Sequence, residues 1–160
     1  MDPQLTNSAT PQRKQTTMQA RVRAVLLTPN NTLLLIKRIR PGIPPYWVIV
    51  GGKIEATDAS REDALRREVR EETGGEAQIV RLLHTIETDG ERQDFYLATV
   101  DKWNFEDRTG PEFSQEGRGE YLLEEIPLTT AALDTVKLLP EDFAAVLRDA
   151  IEQGELTTVQ

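Results

Sequence analysis

Leu65-Arg66-Arg67-Glu68-Val69-Arg70-Glu71-Glu72-Thr73-Gly74 is the stretch on which the fold turns. It belongs to a helix spanning Ser60 to Thr73, with Ser60 as N-cap and Asp63 three residues on, a short relative of a capping box. Gly74-Gly75 closes the helix, because glycine enters the left-handed cap freely. With Leu65 at 0° and about 100° per residue, Val69 falls near 40°, Glu72 near −20°, Glu68 near −60° and Ala64 near −100°. Glu71 falls near −120°, at the edge of that apolar arc, while Arg66, Arg70 and Arg67 fall at about 100°, 140° and 200°. The acids therefore share the packing face and the arginines look away. A solvated, charge-alternating helix does the reverse. Buried carboxylates are costly unless paired or metal-bound. Two arrangements satisfy this pattern: a hard divalent cation among oxygen ligands, or internal salt bridges to arginines reaching across the helix.

Working outward, Gln19 to Thr28 is apolar and β-branched. Pro29-Asn30-Asn31 is a turn, and Thr32 to Arg38 is the partner strand of a hairpin. RPGIPP (40–45) is a loop. Tyr46 to Val50 is a short buried strand ending at Gly51-Gly52. Ala77 to Thr88 and Gln93 to Val100 form an antiparallel pair around Asp89-Gly90. Lys102 to Glu120 is a long polar loop, and Tyr121 to Ile126 is a strand that Pro127 ends. From Pro140, Phe143, Val146, Leu147 and Ala150 recur at helical spacing. The pattern is one α/β domain over 17–160 with a mixed or mainly antiparallel sheet, preceded by a polar, disordered tail over 1–16.

The 160 residues are 38% hydrophobic and 29% charged, which suits one soluble domain with a real core. No apolar run approaches the roughly eighteen residues of a membrane span, and the N-terminus does not read as a secretory signal. The absence of cysteine excludes disulfides, thiolate metal sites and a cysteine nucleophile, and points to the cytoplasm. A net charge of −8 argues against a nucleic-acid duplex as partner. A chain this acidic needs local positive charge to handle a polyanion, and a metal held by carboxylates supplies it.

Gly52 to Gly74, GKIEATDASREDALRREVREETG, resembles the Nudix box, a glycine and a loop glutamate followed by REUXEEXGU, and covers about one seventh of the chain. The REUXEEXG half is complete from Arg67 to Gly74. Three departures stand out. The loop is one residue longer than the pattern, so the loop acid falls at Asp58 or at Ala59 depending on the direction of counting. Val50 precedes the Gly-Gly pair where proline is common. Gly75 replaces an aliphatic residue.

The resemblance implies an α/β/α sandwich that hydrolyses a nucleoside diphosphate linked to another moiety. It implies Mg²⁺ or Mn²⁺ on Glu68, Glu71 and Glu72, with help from the carbonyl of Gly52 or its neighbour, and Arg67 holding a glutamate in place. Either Glu68 or Glu71 would be the general base. The segment Phe113 to Tyr121 resembles the MutT-like loop whose glutamate reaches the metals, here Glu116, with Glu112 and Glu120 as rivals. Lys53, Arg38 and Arg40 are candidate phosphate or base contacts, each also readable as a surface cation. Trp103 is the aromatic most open to base stacking, with Trp47 and Phe95 better read as core. His84 reads as packed.

The proline that marks the ADP-ribose subfamily and the tyrosine that marks the dinucleoside-polyphosphate subfamily are both missing. A nucleoside triphosphate is therefore the favoured substrate, with ADP-ribose or a nucleotide sugar as the alternative. A non-catalytic Nudix-fold binding module is a further alternative, although such modules lose acids that this chain keeps. An isoprenoid diphosphate isomerase would resemble a cysteine enzyme. A homodimer is the expectation by family analogy.

Overall fold

The computed structural model describes residues 19–104 and 119–156. The N-terminal tail and most of the long loop, including Glu112 and Glu116, lie outside the described residues. The strands are β1 (Gln19–Leu27), β2 (Thr32–Ile39), β3 (Tyr46–Val48), β4 (Val50–Lys53), β5 (Ala77–Thr88), β6 (Glu91–Val100), β7 (Glu120–Pro127) and β8 (Leu138–Leu139). The helices are α1 (Arg61–Thr73), α2 (Thr130–Leu133) and α3 (Glu141–Glu152). Ser60 caps α1 by accepting from the Asp63 amide at 3.0 Å, and Gly74 closes it at φ 76°.

The strands form one mixed sheet in the order β5-β6-β1-β2-β3-β8, with β4 on β1 and β7 on β2. β1 runs parallel to β6, and β3 parallel to β8; the other pairs are antiparallel. β1 and β2 pair directly only at Leu26↔Leu34 and Leu27↔Leu33, beside a turn where Asn31 adopts φ 58°. Asparagine tolerates that left-handed region. Beyond those residues the two strands part, and β3 and β4 fill the fork.

Alternation along the strands sends side chains to two cores. Val22, Ala24, Leu26 and Val50 pack under Ala64, Leu65 and Val69 of α1. Val25, Leu35, Ile49 and Phe95 pack under Phe143, Leu147 and Ala150 of α3. Phe95 and Phe143 stack with ring centroids 3.9 Å apart. The result is the expected α/β/α sandwich. Fully buried Leu65 illustrates the energetics: truncation to alanine in such a core costs about 2–5 kcal/mol.

The stretch read as one strand, Tyr46 to Val50, divides at Ile49. There the chain leaves β2 and β8 and joins β1. Strand partners are non-local, so the sequence pattern did not mark the break. Trp103 is half-buried and packs against the α1-side core. Trp47 is half-buried, donates its indole N–H to Glu124 and carries Lys37 over its ring. His84 lies beside Phe143. Among the described residues no helix is long and apolar enough to cross a membrane.

Candidate active site

The site forms where α1 lies against the outer edge of β4. β4 pairs with β1 on one side, and α1 occupies the other. The Gly51 amide donates to Glu72 Oε1 at 3.0 Å. A Cβ at Gly52 would lie 2.5 Å from Glu68 Oε2, so only glycine leaves room for that carboxylate. Glu68 and Glu72 are each only 8% exposed, as their place on the apolar arc of α1 requires.

Arg67 departs from the helical-wheel expectation. Its Cα faces away from Leu65, but its side chain turns back into the acid cluster and is 17% exposed. The wheel fixes only the direction of Cβ, and the flexible stem of arginine carries the guanidinium around the helix. Nε and Nη2 donate to the two oxygens of Asp58 at 2.9 Å each, and Nη2 also donates to the Lys53 carbonyl at 3.0 Å. Nη1 donates to Glu68 Oε2 at 3.2 Å and to Glu71 Oε1 at 3.3 Å. The internal ion pair and the inward acids thus coexist. The hydrogen bonds from Arg67 hold the Asp58 carboxyl below its ordinary range, with a further bond from the Glu55 amide, against the opposing effect of burial. The same pairing raises the Arg67 pKa, so the guanidinium stays charged. Asp58, not Ala59, is the loop acid that Arg67 engages, and the extra loop residue is absorbed ahead of α1.

One guanidinium among Asp58, Glu68, Glu71 and Glu72 leaves the cluster negative. The implied cation can be tested against these residues. Among the described residues no three acid, histidine or cysteine side chains already converge on one point. Mg²⁺ does not demand that, since one or two carboxylates plus water and substrate phosphates commonly hold it. Glu68 and Glu72, buried against the Gly51-Gly52 backbone, offer hard oxygen donors in a space that a Cβ would fill, and this donor set fits Mg²⁺ or Mn²⁺.

A cleft of about 330 Å³ opens onto Glu68, Glu72, Gly51 and Gly52. Ile36, Arg38, Val48 and Tyr121 complete its walls. The Arg38 guanidinium carbon stands 3.6 Å from the centroid of the Tyr121 ring and 5.9 Å from that of Tyr46. Aromatic faces at such distances attract a cation and fix its plane. A hollow of about 500 Å³ at the Leu27 end of β1 brings together, among the described residues, one titratable side chain, Asp101, and so has little to offer a reaction.

The structure separates the remaining candidates. Arg38 lines the cleft, whereas Arg40 is exposed outside it. The Lys53 side chain is exposed, and its contribution is the carbonyl that receives Arg67. Glu71 is bound to Arg67 and does not line the cleft. Glu120 is exposed at the start of β7, and Glu116 lies outside the described residues. Tyr121 is the wall residue the sequence reading did not single out. It sits opposite Arg38 in the β2–β7 register, a long-range pairing that the local sequence pattern does not carry.

A family profile described as a NUDIX domain matches residues 17–142. The fold is similar to that of the ORF135 protein of E. coli, 26% identical over 89% of this chain and 94% of that one, with a TM-score of 0.58. It is also similar to MutT in work on Aliivibrio salmonicida and Vibrio cholerae, 24% identical over 84% and 98% of the two chains, with a TM-score of 0.56. An ADP-ribose pyrophosphatase from Streptococcus suis shares the fold at 19% identity, covering 86% of this chain and 92% of that one, with a TM-score of 0.58. No curated protein matches the chain. With the complete Arg67-to-Gly74 motif standing on the helix that walls the cleft, the chain belongs to the Nudix hydrolase family and is a pyrophosphohydrolase of that type.

Proposed function

We propose that this enzyme cleaves a nucleoside triphosphate to the monophosphate and pyrophosphate by attack of water. The observation that carries the reading is the burial of Glu68 and Glu72 against Gly51-Gly52, in the same cleft that holds Arg38. Mg²⁺ or Mn²⁺, held by Glu68, Glu71 and Glu72 with Glu116 as a further ligand, would neutralise phosphate charge and acidify a bound water. The backbone carbonyl that can join them is that of Gly51, which shares the outward side of β4 with the amide bound to Glu72, and not that of Gly52, which faces β1. Glu68 is the better placed of the two candidate bases, because it lines the cleft while Glu71 is turned toward Arg67. Arg67 holds one Glu68 oxygen, leaving the carboxylate oriented to accept the proton of the attacking water. The water oxygen bonds to the α- or the β-phosphorus, the P–O bond that bridges them breaks, and its electron pair leaves with pyrophosphate in the first case and with the nucleoside monophosphate in the second. Arg38, seated over the Tyr121 ring, supplies a positive charge for the polyanion.

The test is a substrate panel with and without Mg²⁺, following phosphate and pyrophosphate release. Metal-dependent pyrophosphate release from nucleoside triphosphates is expected. Cleavage of ADP-ribose or a nucleotide sugar alone would move the assignment to that class. No turnover on any substrate, dinucleoside polyphosphates and NADH included, would leave a ligand-binding module.

A further inference from the structure

Arg23 stands behind the active site, on the opposite face of the sheet. Its neighbours Val22 and Ala24 pack under α1, and Val25 packs under α3, so strand alternation places Arg23 on the α3 face. In the β1–β4 register it lies opposite Gly51. A Cβ at Gly51 would collide with the backbone of Val22 and Arg23, at 2.1 Å from the Val22 carbonyl oxygen. That position therefore carries no side chain, and Arg23 has a clear path along β4. Its Nη1 donates to the Ile49 carbonyl at 3.0 Å, and its Nε donates to Gln93 Oε1 on β6 at 2.6 Å.

Ile49 is the residue at which the chain changes strand partner. Its amide goes to the Leu139 carbonyl at 3.1 Å, and its own carbonyl is received by the Arg23 side chain. Two residues later the Gly51 amide meets Glu72, and the next residue, Gly52, lies against Glu68. Whatever fixes Ile49 therefore fixes the backbone on which both buried glutamates rest. We infer that Arg23 is a positioning residue of this active site, bridging β6 and the β3–β4 crossing so that Gly51 and Gly52 are presented to Glu72 and Glu68. Electrostatics agree with the proximity. Burial, then Arg21, lower the Arg23 pKa, while Glu72, Glu91 and Glu68 act to raise it.

The inference rests on the hydrolase reading for its kinetic arm and on the proposed metal site for its Mn²⁺ arm, while the exchange arm is independent of both. Arg23→Met and Arg23→Lys are compared with Arg21→Met. Arg21 lies one rung along the same strand and face and bonds Glu91 at 2.6 Å. In the metal-free protein, Arg23→Met is expected to speed hydrogen exchange at the Gly51 amide by about tenfold, and Arg21→Met to leave it unchanged. Mn²⁺ binding without substrate, followed by electron paramagnetic resonance, is expected to weaken several-fold in Arg23→Met. Loss of a nearby positive charge alone would tighten cation binding, so weakening is the signature of lost geometry. Lysine keeps the charge but lacks the fork that reaches two acceptors, so Arg23→Lys is expected to follow the methionine variant. The turnover number should fall about tenfold with KM within about twofold.

Unchanged exchange at Gly51, unchanged or tighter Mn²⁺ binding, equal effects in Arg21→Met, or full rescue by lysine would each overturn the assignment. Should the methionine variant not fold, the lysine variant decides by the same readings. A wild-type protein inactive on every substrate would sink the hydrolase reading, while exchange and Mn²⁺ binding would still decide this one.

Discussion

Arg67 and Asp58 meet in a two-pronged pair, Nε on Oδ1 and Nη2 on Oδ2, both at 2.9 Å. The pair joins the loop before α1 to the middle of the helix and leaves Nη1 to serve Glu68 and Glu71. Asp58→Ala removes the anchor and lets the guanidinium swing onto the glutamates. Residues that orient a metal ligand in this way cost about ten- to a hundredfold when removed, so kcat/KM should drop by that factor. Steady-state kinetics at saturating Mg²⁺ are the check, and an unchanged value would mean that the Lys53 carbonyl and the glutamates hold Arg67 unaided.

The two glycines of β4 should fail differently. At Gly52 the obstructing atoms belong to the mobile end of Glu68, so alanine pushes the carboxylate aside and leaves the fold nearly intact. At Gly51 they belong to the β1 backbone, which cannot yield. Gly52→Ala should thus lose most activity with a stability change below about 1 kcal/mol, whereas Gly51→Ala should lose about 2–4 kcal/mol of stability. Urea unfolding beside activity measurements distinguishes them; equal stability loss in both variants would contradict the contact geometry.

Glu72→Gln keeps an oxygen for the Gly51 amide and removes one buried negative charge. In EDTA the variant should be as stable as wild type or more so, because two carboxylates confined together repel. Added Mg²⁺ should raise the wild-type midpoint, by about 2.7 kcal/mol of stability at a hundred times Kd, and barely move the variant's. Thermal melts with and without Mg²⁺ test this, and an equal metal response in both proteins would remove Glu72 from the ligand set.

Asp94 on β6 ties Arg61 at the start of α1 to Arg92 and Thr85. Burial alone would raise its pKa, but the bonds from Thr85, Arg92 and Arg61 outweigh burial and hold it below the ordinary value. A depressed carboxyl adds stability above its unfolded pKa of about 3.9 and loses it as the pH falls through the folded value. Asp94→Asn should therefore cost about 1–3 kcal/mol at neutral pH and flatten the fall in stability below about pH 4. Urea midpoints from pH 7 to 3 measure the slope, and parallel curves for variant and wild type would rule out this contribution.

The features written locally were the ones legible in the sequence. Ser60 and Gly74 bound α1 because capping depends on neighbouring residues, and the inward turn of Glu68 and Glu72 followed from helical period alone. Long side chains and long-range pairing were harder. Arg67 reaches round the helix through its flexible stem, which a wheel of Cβ directions does not contain. The break at Ile49 depends on β1 supplying a new partner, and the role of Tyr121 on its register with Arg38, both set by residues far along the chain. Short α2 and β8 carried too few residues for a periodic signal.

The carboxylate at Glu72 also has a purely architectural consequence. β4 offers its outer amides to no neighbouring strand among the described residues, and Glu72 takes the one at Gly51. Open strand borders invite other chains to add on, and proteins blunt them with charge. Here α1 covers the border and Glu72 caps the Gly51 amide beneath it, so an apolar residue at position 72 would leave that amide without its acceptor and loosen the seam between strand and helix.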